Sequence, residues 1–278
     1  MKTKKLLVSM MLSAGAFAAQ ASTYTLLPTS TLSVTGEVDA SFVGAFNGIP
    51  FTSSGSAVLV EQPTGGLTTT LSGTIDANVV GTSFSFVSDI VAGNSGNWLP
   101  TGTPANFGLS ASILMDSSAP FPDFTMNVLA AVSGITSNIS GSGMLAGSAG
   151  NWSFSAPLGG FITSGMVEAI ATPTPLYLPP TPISVPLANI ALTGMTNGTL
   201  VSDGSIETLT IPFSALATFT VNVPIDSNGT VGTATLMMTR HATGEMYAVR
   251  AVPEPETYAM LLAGLGLVGF SARRRAAL

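Results

Sequence analysis

Apolar and polar residues alternate with a period of two through much of the middle of this chain. Leu209, Ile211 and Phe213 alternate with Thr208, Thr210 and Pro212, and Phe219, Val221 and Val223 alternate with Thr218, Thr220 and Asn222. Past Asp226 the residues Gly232, Ala234, Leu236 and Met238 share one face, and residues 83–86 (SFSF) repeat the pattern. A period of two puts one set of side chains on the core face of a strand and the other set on the opposite face. Asn228-Gly229 lies between two such runs and is a hairpin signal, because tight hairpin turns need the positive φ that Asn and Gly tolerate. Asn197-Gly198 reads as a second turn pair, and Pro212, which has no amide hydrogen, points to a sheet edge. No long window between residues 22 and 250 shows helical spacing. The expected class is all-β, with antiparallel hairpins in a sandwich, a barrel-like closure or a solenoid-like stack.

Internal similarity points to reused hairpins. Residues 90–98 (IVAGNSGNW) align with residues 144–152 (MLAGSAGNW), which share an Ala-Gly, a Gly-Asn and the only two tryptophans. Residues 35–44 (TGEVDASFVG) align more weakly with residues 72–81 (SGTIDANVVG). Two different spacings favour reused β-units over a strict solenoid period. The proline-rich residues 171–186 read either as a linker between two units or as a crossing loop within one fold. About 65 residues follow it, too few for a comfortable second core without disulfides, so one continuous β-domain is expected.

The two ends break the pattern. Lys2, Lys4 and Lys5 precede an apolar run and the triplet Ala19-Gln20-Ala21. A positive start, a short apolar helix and a small-x-small site make a secretory signal peptide, so residues 1–21 are expected to be removed and Ser22 to begin the mature chain. At the other end, residues 257–272 carry no charge and are followed by Arg273, Arg274 and Arg275. As a helix this stretch would be about 24 Å long, short for a bilayer core of about 30 Å but extended by snorkelling flanks. The arginines read as a cytoplasmic stop. Residues 22–251 would then be the exported domain and residues 252–278 a tail holding a transmembrane helix.

Pro253, Glu254 and Pro255, then the apolar helix, then the arginine cluster, resemble the PEP-CTERM sorting tail of Gram-negative bacterial proteins. The resemblance implies a handle for exosortase, a membrane-embedded transpeptidase-like enzyme, and export in bacteria that make extracellular polysaccharide. It implies anchorage in the inner membrane before processing and display at the cell surface afterwards. The two prolines fix φ and remove two backbone donors, keeping the segment extended and open to an enzyme, so Glu254 reads as a recognition group.

Composition narrows what the exported domain can do. Cysteine is absent, which excludes disulfides and thiol chemistry. Charged residues are only 8% and mean hydropathy is +0.51, so polar surface must come from Ser, Thr, Asn and Gly. Between the two ends only Arg240 and Arg250 are basic against twelve acidic residues, a net charge of −10. Phosphate backbones would be repelled, which excludes nucleic acid as a partner.

Candidate chemistry is sparse. The single histidine, His241, sits in TRHATGE, where Thr243-Gly244 looks like a turn. It cannot form a multi-histidine metal site, and no Gly-x-Ser-x-Gly elbow accompanies it. Scattered carboxylates lack the local motif of a glycosidase pair. Asp203-Gly204 and Asp226-x-Asn228-Gly229 supply oxygens without the full calcium loop, and ordinary turn chemistry explains both. No catalytic residue, metal site or cofactor is expected. Trp98 and Trp152, flanked by Asn97 and Asn151, are the candidate glycan contacts: exposed rings stack on sugar faces while the amides reach hydroxyls. The competing reading makes both tryptophans equivalent core positions of a duplicated unit. The expectation is a non-enzymatic surface or matrix protein, structural or adhesive in exopolysaccharide or biofilm, with a carbohydrate-binding module and then a secreted glycan hydrolase as alternatives. An outer-membrane barrel ranks below these, since such barrels have no use for a C-terminal helix with an arginine stop.

Overall fold

The computed structural model describes residues 20–62, 69–98, 104–148, 150–174, 181–227 and 229–252, together with Leu265. The signal segment before residue 20, the Pro253-Glu254-Pro255 motif, the apolar helix expected at 257–272 apart from Leu265, and Arg273 to Arg275 lie outside the described residues. Among the described residues no helix is long and apolar enough to cross a membrane.

The described chain is a succession of strands: β1 (Gln20–Leu26), β2 (Thr31–Phe46), β3 (Ile49–Gln62), β4 (Thr69–Val80), β5 (Ser83–Ala92), the short β6 (Gly96–Asn97) and β7 (Pro104–Ala105), β8 (Phe107–Ser117), β9 (Phe124–Ser148), β10 (Asn151–Thr174), β11 (Thr181–Pro186), β12 (Ile190–Ser202), β13 (Ile206–Ser227) and β14 (Thr230–Ala251). All but β6 and β7 belong to one 12-stranded sheet, and every pairing is antiparallel.

Two long hairpins, β9/β10 and β13/β14, span the molecule. On one side β12 joins them, pairing with β10 and with the first part of β13. On the other side the connection forks. At one end β5, β4 and β1 lead from β9 to the last residues of β14, and at the other end β8, β3 and β2 lead from β9 to the first part of β14. The sheet therefore closes into a ring, which decides for the barrel-like architecture over the sandwich or solenoid.

The period of two sets the interior. Every second residue of β5 from Phe84 to Ala92 is buried, as are Leu32, Val34, Val38, Ala40 and Phe42 of β2. Phe84, Phe86 and Phe154 meet inside, with the Phe84 and Phe154 ring centroids 4.4 Å apart. Each such ring contributes roughly 1.5–3 kcal/mol by leaving water. Glu37, Asp39, Asp76, Asp89 and Asp116 point outward and are exposed. The interior is apolar, unlike the polar lumen of a channel-forming membrane barrel, while the outer face mixes these acids with exposed apolar residues such as Val43, Val58, Leu114 and Met144.

Turn signals were only partly sound. The connection 228–229 does join β13 to β14, with Ser227 paired to Thr230 and Gly229 at φ 79°. Asn197-Gly198, expected as a turn, instead lies within β12, where Gly198 faces Phe154 across the ladder. A Cβ at Gly198 would come within 2.3 Å of the Phe154 ring, so this glycine is there to seat a ring. Thr243-Gly244 is likewise no turn but part of β14, with Gly244 beneath Phe213. Pro212 does not mark an edge: β13 lies between β12 and β14, and the β12 ladder is interrupted between Thr196↔Phe213 and Thr199↔Thr210. A residue without an amide hydrogen is tolerated opposite that gap, and the Thr196 hydroxyl donates to the Pro212 carbonyl at 2.6 Å.

The proline-rich stretch supplies β11, which folds back on β10 from Ala171↔Thr181 to Met166↔Pro186. The second sequence repeat has a structural counterpart, since Val38, Ala40 and Phe42 of β2 and Ile75 and Ala77 of β4 all point inward. The tryptophan repeat does not. The copy ending at Trp152 forms the tight β9/β10 hairpin, whereas the copy ending at Trp98 leaves the main sheet through β6.

Candidate functional site

One end of the barrel opens in a cleft of about 210 Å3. Strand ends build it: Ser22 and Tyr24 come from β1, Trp152 from the start of β10, Glu207 from the start of β13 and Arg250 from the end of β14. Alternation aims Tyr24 inward, and its hydroxyl donates to Glu207 Oε2 at 2.6 Å. Arg250 donates from Nε to the same oxygen at 2.6 Å, and its guanidinium lies 5.4 Å from the centre of the Tyr24 ring.

This triad is electrostatically settled. Burial and the neighbouring Glu207 carboxylate push the Tyr24 phenol well above its usual range. Burial alone would raise Glu207, but the hydrogen bonds from Arg250 and Tyr24 outweigh it and hold the carboxyl below the usual range. Burial opposes the charge on Arg250, and Glu207 more than offsets it. All three groups thus keep their ordinary charge states near neutrality. The cleft sets the half-buried Trp152 ring beside a fixed ion pair, with Tyr24 and the Ser22 hydroxyl buried beneath, so Trp152 is the ring able to pack against a sugar. Among the described residues Glu207 is the one carboxylate lining it.

The structure separates the sequence candidates. Trp152 is half-buried, packs on the rim of the core and lines the cleft, with Asn151 exposed beside it. Trp98 lies elsewhere, in a small cluster with Ala105, Leu129 and Ala131. Its ring covers Gly108, where a Cβ would come within 2.6 Å of it, and Asn97 is exposed in β6. Equivalent positions they are not. His241 is exposed mid-strand, paired with Thr35 and Leu216. Asp203 Oδ1 accepts from the amides of Ser205 and Ile206 at 2.9 and 2.7 Å, which is turn chemistry and lowers its pKa. Among the described residues no group of His, Cys, Asp or Glu is placed to hold a metal. Tyr24, Glu207 and Arg250 were not singled out from sequence; the one available signal was that Arg250 is one of two cations in a strongly acidic domain.

Strand β14 ends at this same rim. Val252 donates its amide to the Ser205 carbonyl at 2.9 Å, so the backbone is held to the barrel at the point where the tail begins. Residues 251–275 match the PEP-CTERM protein-sorting motif. The chain carries a PEP-CTERM sorting tail. Pro253, Glu254, Pro255 and the three arginines all fall within the matched span. The PEP-CTERM motif supports an exported protein sorted by an exosortase-type processing enzyme, and implies a membrane-associated stage before display at the cell surface. No curated protein matches the chain. Among solved structures it is similar to the outer membrane protease OmpT from Escherichia coli, with 6% identity over 85% of this chain and 98% of that one and a TM-score of 0.31. So loose a likeness carries no argument about fold or activity.

Proposed function

We propose that the protein is a non-enzymatic component of the cell surface or extracellular matrix, with a structural or adhesive role in exopolysaccharide, and that its barrel mouth contacts glycan through Trp152. The sorting tail carries the first part of this reading. The second is supported by the cleft, in which the half-buried Trp152 ring stands beside the Glu207–Arg250 pair. Trp98, packed over Gly108, takes no part.

Intact mass of the protein from surface and membrane fractions of its own host, with and without its exosortase, tests the sorting step. The expected surface form begins at Ser22 and lacks the segment beyond about Pro253, while loss of the enzyme leaves the tail attached in the membrane. Strand β1 begins at Gln20, so cleavage before Ser22 removes only the pairings of Gln20 and Ala21 with Val79 and Asn78 and keeps those from Ser22↔Ala77 to Thr25↔Thr74. Retention on host exopolysaccharide tests the glycan contact: Trp152→Ala should abolish it with the β-sheet circular dichroism unchanged, and Trp98→Phe should not. Equal retention by Trp152→Ala would overturn the contact and leave the sorting result standing.

A further inference from the structure

The barrel interior holds a charge with no counter-charge. Arg240, on the inward face of β14, is 8% exposed. Its Nη2 donates to the Met238 thioether at 3.1 Å, a weak acceptor, and its Nη1 is buried with no partner. Among the described residues the only ion pair is Arg250–Glu207, at the mouth. An unpaired buried guanidinium is among the most unfavourable groups a core can contain.

Arg240 lines an internal cavity of about 90 Å3. Apart from Arg240 and Ser137 the lining is aliphatic and aromatic. The cavity reaches the place where the ring is least complete. β11 pairs only with β10, and β13 beyond Leu216 pairs only with β14, so no ladder joins β11 to β13 among the described residues. Leu187, Leu192, Ala217 and Phe219, all lining the cavity, flank this seam, and Phe219 and the nearby Ile162 are only half-buried. The seam thus gives a sideways route to the guanidinium that crosses no hydrogen-bonded ladder.

We propose that the barrel interior is a binding site for a short aliphatic carboxylate, its carboxylate bonded to Arg240 and its alkyl tail in the apolar cavity. A guanidinium presents two parallel donors that match a carboxylate, and the ligand would supply the acceptor that the chain withholds. An apolar cavity of roughly 150 Å3 is enough to hold benzene, so the space here suits a tail of a few carbons. Arg240 is paired in the ladder with Ala217, which flanks the seam, and among the described residues Ser137 is the one other polar residue in the lining.

Titration calorimetry on the protein purified from its host tests this with acetate, butyrate and valerate, with butanol and pentanol as uncharged counterparts, and with chloride alone. Butyrate or valerate should bind on the order of tenfold more tightly than the alcohol of equal length, the increment expected of a bond to a charged group. Arg240→Met should erase that difference while still admitting the alcohols. Equal affinity for acid and alcohol, an unchanged preference in Arg240→Met, or saturation by chloride with no gain from an alkyl tail would each overturn the proposal. Should Arg240→Met fail to fold, the carboxyl carbon resonance of labelled butyrate decides on the unaltered protein: a shifted, saturable bound signal displaced by valerate but not by chloride supports the site, and its absence refutes it.

Discussion

Asn106 Oδ1 accepts the backbone amide of Ile135 at 2.9 Å, at the point where β9 exchanges β8 for β5 as its neighbour. The Asn106 side-chain amide donates to the carbonyls of Ala92 and Gly93 at 2.8 and 3.1 Å, while the Asn106 backbone carbonyl accepts the hydroxyls of Thr69 and Ser95. One side chain, 1% exposed, thereby ties together the two branches of the fork. Ser30 does the same work at the other break, donating its hydroxyl to the Tyr247 carbonyl and accepting the Tyr247 amide where β1 gives way to β2. Asn106→Leu strips the amide of Ile135 and two carbonyls of their partner inside the protein. The expected loss is about 2–4 kcal/mol, read from urea unfolding. A change below about 0.5 kcal/mol would mean that the branches hold without the stitch.

How much of this was legible follows from what each feature depends on. Alternation in β5, β13 and β14 is local, so the strands, their inward faces and the 228–229 hairpin could be read residue by residue. Closure depends on which strands meet, and no residue of β12 announces that it pairs with both β10 and β13. Asn106 lies in a stretch whose composition reads as ordinary loop, and its partners come from three strands, β4, β5 and β9, and the loop after β5. The sorting motif was legible because it is linear. At the mouth, Trp152 was named from sequence, but Tyr24 and Glu207 meet across 183 positions of chain.

The misread Asn197-Gly198 pair makes its own prediction. Gly198→Ala should cost about 1–3 kcal/mol, as overpacking does, because the added methyl meets the Phe154 ring. Phe154→Leu in the same chain should recover part of that loss, giving a favourable coupling in the double-mutant cycle. Were Gly198 a turn glycine, its cost would be independent of residue 154, and additive thermal denaturation results would show it.

The mouth triad sets a pH window. Glu207 has a folded pKa below its ordinary 4.5, so its contribution to stability is complete above about 4.5 and is lost as pH falls through the lower folded value. Tyr24 has a folded pKa raised above its ordinary 10.0, so its contribution is complete below about 10 and is lost as pH rises beyond that. Melting temperature should therefore fall at both extremes. Glu207→Gln should flatten the acid limb, and Tyr24→Phe the alkaline limb, in scans across pH at fixed ionic strength. An acid limb unchanged in Glu207→Gln would place the acid sensitivity in other carboxylates.

Arg240 should be a liability to the empty barrel. Burial alone depresses its pKa from 12.5 to about 10, which corresponds to about 3 kcal/mol of disfavoured charge. Replacing a buried charge with an apolar side chain of similar length usually leaves stability unchanged or raises it, and methionine also keeps most of the packing against Met238. Arg240→Met should accordingly raise the stability of the ligand-free protein by on the order of 1–2 kcal/mol in urea unfolding. Saturating butyrate should narrow or reverse that gap, since a ligand that binds only the folded state of the unaltered protein stabilises it alone. A destabilised Arg240→Met in the absence of ligand would mean that the guanidinium is satisfied within the barrel and that its interior charge serves the fold.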